Sequence, residues 1–208
     1  MSGVVAQNVA RTSGLIKAAE GGGGAWVEIK TLTSDGSDSD LSFVNGTSDV
    51  VLDSTYPVYC FRYTSIHPET DNKTLEFNFS DDTGSSYAVT KTSTFFEASH
   101  DESGAGSVLQ YNAGNDLAQG TGFQRFGYID NDNDCSMSGY LYVFGISSST
   151  FIKHFISRQS FVGNGAVAYT TFVAGYANTT SALDAVQFKI NSGEIQGGKI
   201  KLFGIKDS

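Results

Sequence analysis

Residues 185–205 alternate apolar and polar side chains in steps of two. Val186, Phe188 and Ile190 alternate with polar residues, and an Asn-Ser-Gly turn follows them. Apolar residues then return on either side of a Gly-Gly pair at 197–198. Period two is the signature of half-buried β-strands, and paired glycines inside a strand favour a bulge or a tight bend. We therefore expect two strands here, the second of them paired within a sheet.

Similar short apolar runs recur along the chain, and turn-forming residues separate them at roughly 8–12-residue spacing. The chain contains 24 Gly, 15 Phe and 10 Tyr, a balance that favours strands and tight turns over helices. The sequence predicts an all-β fold, an antiparallel β-sandwich or jelly roll. Besides the C-terminal pair, we predict strands at 26–33, 41–44, 56–66, 74–79, 87–98, 123–129, 139–145, 151–156 and 166–174.

Two regions with different composition define the predicted domain organisation. Residues 1–14 are small and polar, and four glycines follow at 21–24, which predicts an N-terminal arm with a Gly-rich hinge over residues 1–24. Residues 25–208 form the predicted β-sandwich. Single helical turns are predicted at 15–20, 115–119 and 180–183.

The charge of the chain limits the classes of partner that it can bind. The formal net charge is −9 and the isoelectric point is near 4.6. An acidic surface repels phosphate, so we expect no binding to nucleic acid or to an anionic membrane surface. No segment approaches the ~20 apolar residues of a membrane span, and we expect no signal peptide. The two cysteines, Cys60 and Cys135, are expected to be buried free thiols of a chain made in a reducing cytoplasm.

Motifs for catalysis, cofactors and metals are weak in this sequence. Asp and Asn alternate through residues 130–134, which suits Ca²⁺, but an EF-hand loop would need Gly and Glu where Cys135 and Leu141 stand. A solvated turn is the favoured interpretation, and Ca²⁺ binding is left open. His67, His100 and His154 have no zinc-like spacing. We find neither a Gly-x-Ser-x-Gly motif nor a phosphate loop, and we predict no catalytic residue, cofactor or metal.

Aromatic residues are concentrated at 56–63, 123–128 and 140–144. Our interpretation is that most of them fill the space between two sheets, where each ring buries a large area. The alternative is an exposed platform that stacks on sugar rings. Three residues of the arm and hinge region are candidate partner contacts: Leu15, Ile16 and Trp26. Trp26 follows the glycine hinge, where an exposed indole could anchor a partner.

Several short motifs, in this order, resemble a family of virion structural proteins of tailed bacteriophages, especially those of marine bacteria. They are His-Pro-Glu-Thr-Asp at 67–71 at the end of the 56–66 run, Asp-Thr-Gly-Ser-Ser-Tyr at 82–87, Gly-Tyr-Leu-Tyr-Val-Phe at 139–144 and Gly-Lys-Ile-Lys-Leu-Phe-Gly-Ile at 198–205. The resemblance covers roughly residues 25 to 205.

The resemblance implies a jelly-roll-like domain on the outside of a phage particle, often trimeric. Its implied role is non-enzymatic, as a capsid decoration, a head fibre or a tail appendage. The implied partners are other virion proteins and further copies of the chain, and the implied location is the virion, assembled in the host cytoplasm. The resemblance transfers no catalytic residues. A carbohydrate- or receptor-binding module at a fibre tip, with a host surface glycan as ligand, is the alternative.

Overall fold

The computed structural model describes residues 24–163 and 165–207, which form twelve β-strands and no helix. Leu15, Ile16 and the rest of the predicted arm up to residue 23 lie outside the described residues. The strands are β1 (Trp26–Thr33), β2 (Asp40–Val44), β3 (Val58–Pro68), β4 (Lys73–Ser80), β5 (Lys91–Asp101), β6 (Ser107–Tyr111), β7 (Gln124–Ile129), β8 (Met137–Phe144), β9 (Lys153–Gly163), β10 (Val167–Ala177), β11 (Ala185–Ile190) and β12 (Ile195–Ile205).

The strands form two antiparallel sheets of unequal width. The larger sheet has eight strands in the order β1-β12-β3-β8-β9-β10-β5-β6, and the smaller has four in the order β2-β11-β4-β7. The halves β1-β12-β3-β8 and β2-β11-β4-β7 have the strand order of a jelly roll, in which the chain crosses repeatedly between the sheets. The pairs β5-β6 and β9-β10 are insertions that widen the larger sheet. The predicted all-β sandwich is confirmed.

The core between the two sheets is largely aromatic. Phe77 packs against Phe126 with 5.1 Å between ring centroids, and Phe126 in turn stacks on Tyr63 at 5.3 Å. Phe61 and Phe188 are 5.4 Å apart across the same core. All five rings are about 99–100% buried. Burying one such ring stabilises the fold by roughly 1.5–3 kcal/mol, so this cluster is a major source of the folding free energy.

The C-terminal pair of strands is confirmed in detail. β12 lies inside the larger sheet, between β1 and β3. Its pairing with β3 shifts register on both sides of Gly197, which is the predicted bulge. The neighbouring Gly198 has a φ of +105°, and a Cβ there would lie 2.5 Å from the carbonyl oxygen of Ser65. The close approach of β3 therefore requires glycine at this position.

The predicted helical turns at 115–119 and 180–183 are wrong, because both segments are irregular loops. The loop conformation is set by tertiary contacts and not by local propensity. Leu183 is fully buried, and its backbone N–H donates to the carbonyl of Ile146. Asn115 is nearly buried, and its carbonyl accepts a hydrogen bond from the Gln124 side chain. The turn predicted at 15–20 lies outside the described residues.

Gly139 provides a test of the packing between neighbouring strands. It pairs with Tyr63 on one side and Gln159 on the other, and a Cβ there would lie 2.4 Å from the carbonyl oxygen of Arg158. We expect Gly139→Ala to lower the free energy of unfolding by about 2 kcal/mol, because backbone would have to move. Urea denaturation measures this. Gly122→Ala, where a Cβ meets nothing within 4 Å, is the control, and equal stability of the two variants would contradict the register.

Candidate functional site

The larger sheet carries a continuous set of aromatic and aliphatic side chains on its solvent side. We call this set the outer aromatic face: Trp26, Phe96, Tyr140, Tyr142, Phe144, Ile156, Phe172 and Phe203. Side chains alternate across a strand, and in β9 every second residue from His154 to Ser160 is exposed while the intervening residues are buried. Cross-strand pairing aligns Tyr142 with Ile156, so neighbouring strands present the same side.

One half of the outer aromatic face is built around Tyr142. Its ring lies 6.1 Å from Trp26 and 5.0 Å from Tyr140, measured between centroids, and Trp26 also contacts Phe203 at 5.7 Å. Trp26 is 42% exposed. These rings come from β1, β12 and β8, and they cover the fully buried Cys60 of β3, which pairs with Tyr142. The result is a firm apolar surface open to solvent.

The other half lies on the inserted strands. Phe96 of β5 stacks on Phe172 of β10 with centroids 4.9 Å apart, and the guanidinium of Arg158 lies 4.9 Å from the Phe172 centroid. Phe96 is 41% exposed. Ile156, which is 49% exposed, connects this half to Tyr142 across the sheet. The face therefore spans the sheet from β1 to β5. Exposed apolar residues on a protein surface are usually scattered singly, so a set of this breadth is unusual.

Positive charge accompanies these rings, although the chain as a whole is acidic. In one cross-strand row, Lys201 lies opposite Arg62, Arg62 opposite Tyr140, and Tyr140 opposite Arg158. Lys201 pairs with Glu28 at 2.9 Å. Within residues 24–163 and 165–207, no carboxylate lies within 4.0 Å of either arginine. Like charges directly opposite each other destabilise a sheet, so the row favours an anionic group from outside the chain.

This face corrects part of the aromatic interpretation. The rings at 56–63 and 123–128 do include core residues such as Tyr59, Tyr63 and Phe126. The interpretation does not hold for the run at 140–144, because Tyr140, Tyr142 and Phe144 lie outside the core and the buried residues of β8 are Met137, Leu141 and Val143. Both sides of β8 are apolar, so the sequence pattern does not show which side the smaller sheet covers.

The acidic loop at 130–134 is the part of the sequence that most suits a metal ion. Among the residues that the structure describes, no three His, Cys, Asp or Glu side chains converge to hold a metal ion. Asp130 accepts a hydrogen bond from the backbone N–H of Asn131 at 2.8 Å. A hydrogen bond with the carboxyl of Asp71 raises the pKa of Asp130, with burial contributing. The loop is a hydrogen-bonded turn, and the carboxyl group of Asp130 contacts that of Asp71 on a neighbouring segment.

The histidines and cysteines are dispersed over the fold. Nδ1 of His67 lies 2.7 Å from the carbonyl oxygen of Cys135, and His154 packs edge-on against Tyr176 at 6.3 Å. His100 is exposed on β5. Both cysteines are free and buried, as expected, and burial raises the pKa of the Cys60 thiol to about 12. That thiol is protonated at neutral pH and is a poor nucleophile.

A cleft of about 200 Å³ lies on the other side of the larger sheet, beside β7. We call it the β7 cleft, and its polar and aromatic lining residues are Asn72, Glu97, Asn112, Asn115, Tyr128, Phe161 and Tyr169. The smaller sheet ends at β7 while the larger sheet continues through β10 and β5. This difference leaves the cleft beside the edge strand β7. Sequence analysis missed the cleft because its residues come from six separate segments with no local motif.

Two lysines are buried inside the sandwich. Nζ of Lys91 donates to the side-chain oxygen of Asn78 and to the carbonyl of Val89 at 2.8 Å. Nζ of Lys153 donates to the carbonyls of Thr179 and Ser181. Burial lowers the pKa of Lys91 to about 7 and also lowers the pKa of Lys153. All of these acceptors are uncharged oxygens, so folding favours the neutral amines.

In the part of the chain that the structure describes, no helix is long and apolar enough to cross a membrane. No protein-family model matches the chain, and neither a curated protein nor a solved structure matches it. A function for this chain is therefore inferred from its surfaces and from the resemblance in its sequence.

The buried Lys91 predicts a rise of stability with pH. Between about pH 7 and the usual lysine pKa of about 10.4, Lys91 is neutral in the folded chain and protonated in the unfolded chain. The unfolded state then binds more protons, so the free energy of unfolding increases with pH in this window. We expect Lys91→Met to flatten that increase in urea denaturation between about pH 7 and pH 9. Lys199→Met, at an exposed position, is the control. An unchanged slope in Lys91→Met would contradict the depressed pKa.

Proposed function

We propose that this chain is a non-enzymatic structural protein of a bacteriophage virion, displayed on the particle exterior as a capsid decoration, head fibre or tail appendage. The observation that carries the proposal is the outer aromatic face, whose Arg62 and Arg158 have no carboxylate partner among the described residues. A surface of this breadth and chemistry is typical of a site covered by another protein. The resemblance of the sequence to phage virion proteins supports the choice of assembly.

The proposed contact on the outer aromatic face is between copies of the chain. The chain has a net charge of −9, so the rest of its surface supplies carboxylates that complement Arg62 and Arg158. Exposed aromatic and arginine side chains are the residue types enriched in protein interfaces. A closed homo-oligomer, with a trimer favoured by the resemblance, would bury this face. Trp26 lies at the edge of the face and is a candidate contact at its rim.

The arm at residues 1–24 is the proposed anchor to other virion proteins. Gly24 leads directly into β1 at the edge of the larger sheet. An arm that enters here, with Leu15 and Ile16 as its apolar contacts, could bind a capsid or tail scaffold while the sandwich projects. The anchor and the interface between copies would then lie on different parts of the chain.

The virion role predicts a fixed abundance in purified particles. Quantitative mass spectrometry of phage particles should find the chain in a simple ratio to the major capsid protein. Hundreds of copies would identify a decoration or head protein, and a few tens would identify a tail appendage. Absence of the chain from purified particles would contradict the proposal.

A carbohydrate- or receptor-binding module is the second candidate function. Solvent-accessible aromatic rings, such as Trp26 on the outer face and Tyr128 at the β7 cleft, favour it because aromatic faces stack on sugar rings. A glycan array that includes host lipopolysaccharide tests this candidate. Glycan binding that is lost when an exposed aromatic residue is replaced would support it. An array on which no glycan binds the chain would count against it.

A further inference from the structure

The β7 cleft has the dimensions of a site for a small ligand. Its volume of about 200 Å³ is below the ~300–1,000 Å³ of pockets for drug-sized molecules. The cleft lies between the exposed edge of β7 and the inner side of β5, β9 and β10, so one end is open to solvent. A single ring of an extended chain could enter while the rest of that chain stays outside.

Aromatic side chains form a rigid wall of the cleft. Tyr169 stacks on Phe161 with ring centroids 5.2 Å apart and an interplanar angle of 8°. Glycines allow this arrangement, since a Cβ at Gly127 would lie 2.2 Å from the Phe161 ring and one at Gly163 would lie 2.7 Å from the Tyr169 ring. Tyr128 is 39% exposed on β7. The wall is therefore held in place before any ligand binds.

Polar groups line the rest of the cleft. Asn115 is only 7% exposed, and among the described residues its Nδ2 has no hydrogen-bond partner. Its position is held by Gln124, whose Nε2 donates to the Asn115 carbonyl at 2.8 Å. Glu97 accepts hydrogen bonds through Oε1 from Gln110 at 2.7 Å and Asn112 at 3.3 Å. Its Oε2 has no partner within the described chain, so a donor and an acceptor are both free.

We propose that the β7 cleft binds one neutral pyranose ring of a carbohydrate. The C–H face of the ring would pack on Tyr128 and Tyr169, and its hydroxyls would bond Glu97 and Asn115. The carboxylate and the acidic chain disfavour an anionic sugar. Glu97 is the one carboxylate of the lining, whereas glycoside hydrolysis uses two, so the cleft binds and does not cleave. This inference rests on the carbohydrate-binding candidate and is independent of the virion role.

The experiment titrates the full chain with glucose, galactose, mannose and N-acetylglucosamine, each alone, and follows binding by protein-observed NMR. At least one sugar should give saturable shifts that include Asn115 and Glu97. Glu97→Gln and Tyr128→Ala should each weaken binding about tenfold, the effect of losing one good polar or stacking contact. Tyr128 lies at an exposed edge, so its variant should fold normally. Phe151→Ala, at a 73% exposed loop position outside the cleft lining, should bind as the parent does.

Three results would overturn the inference. Saturable binding that Trp26→Ala abolishes and the two cleft variants retain would move the site to the outer aromatic face and keep the carbohydrate-binding candidate. Sialic acid and glucuronic acid are titrated in the same way, and binding confined to these two acids would exclude a neutral ligand. Failure of every sugar to bind would remove the cleft site, while the glycan array would still decide the carbohydrate-binding candidate and the abundance of the chain in particles would still decide the virion role.

Discussion

Backbone hydrogen bonding of the inserted strands determines the shape of this molecule. The backbone N–H and C=O groups of β9, β10, β5 and β6 must be hydrogen-bonded. These strands form those bonds by extending the larger sheet from β8 outwards. The opposing sheet gains no strand and ends at β7. Because the two sheets differ in width, the larger one has a broad solvent side, and part of its inner side is not covered by the smaller sheet. The outer aromatic face and the β7 cleft are the direct consequences.

The two surfaces can act together, because they lie on opposite sides of the larger sheet. Phe96 and Phe172 point outwards, while their chain neighbours Glu97 and Thr171 point inwards. An oligomer that buries the outer aromatic face would leave the β7 cleft accessible. A particle protein could in this way use one side of a sheet for assembly and the other for recognition, with no change in conformation.

The sequence predicted the fold class well, because period-two patterns report half-buried strands wherever one side faces a core. It missed β6 at Ser107–Tyr111, whose five residues are all exposed and which therefore lacks any alternation. It did not show that Tyr142 lies outside the core, because a strand that is apolar on both sides carries no information about which side is covered. That information lies in the width of the opposing sheet, a tertiary property. Asn115 and Glu97 meet only after folding, so no local spacing marks them.

We propose that copies of the chain associate through the outer aromatic face, and sedimentation velocity of the full chain measures this association. We expect a discrete species several times heavier than the 22.1 kDa chain. We also expect that Ile156→Glu, at the centre of the face, yields monomers, while Phe151→Glu, at a 73% exposed loop position, does not. A parent chain that stays monomeric at every concentration, or an Ile156→Glu variant that still assembles, would show that the face is not an interface between copies.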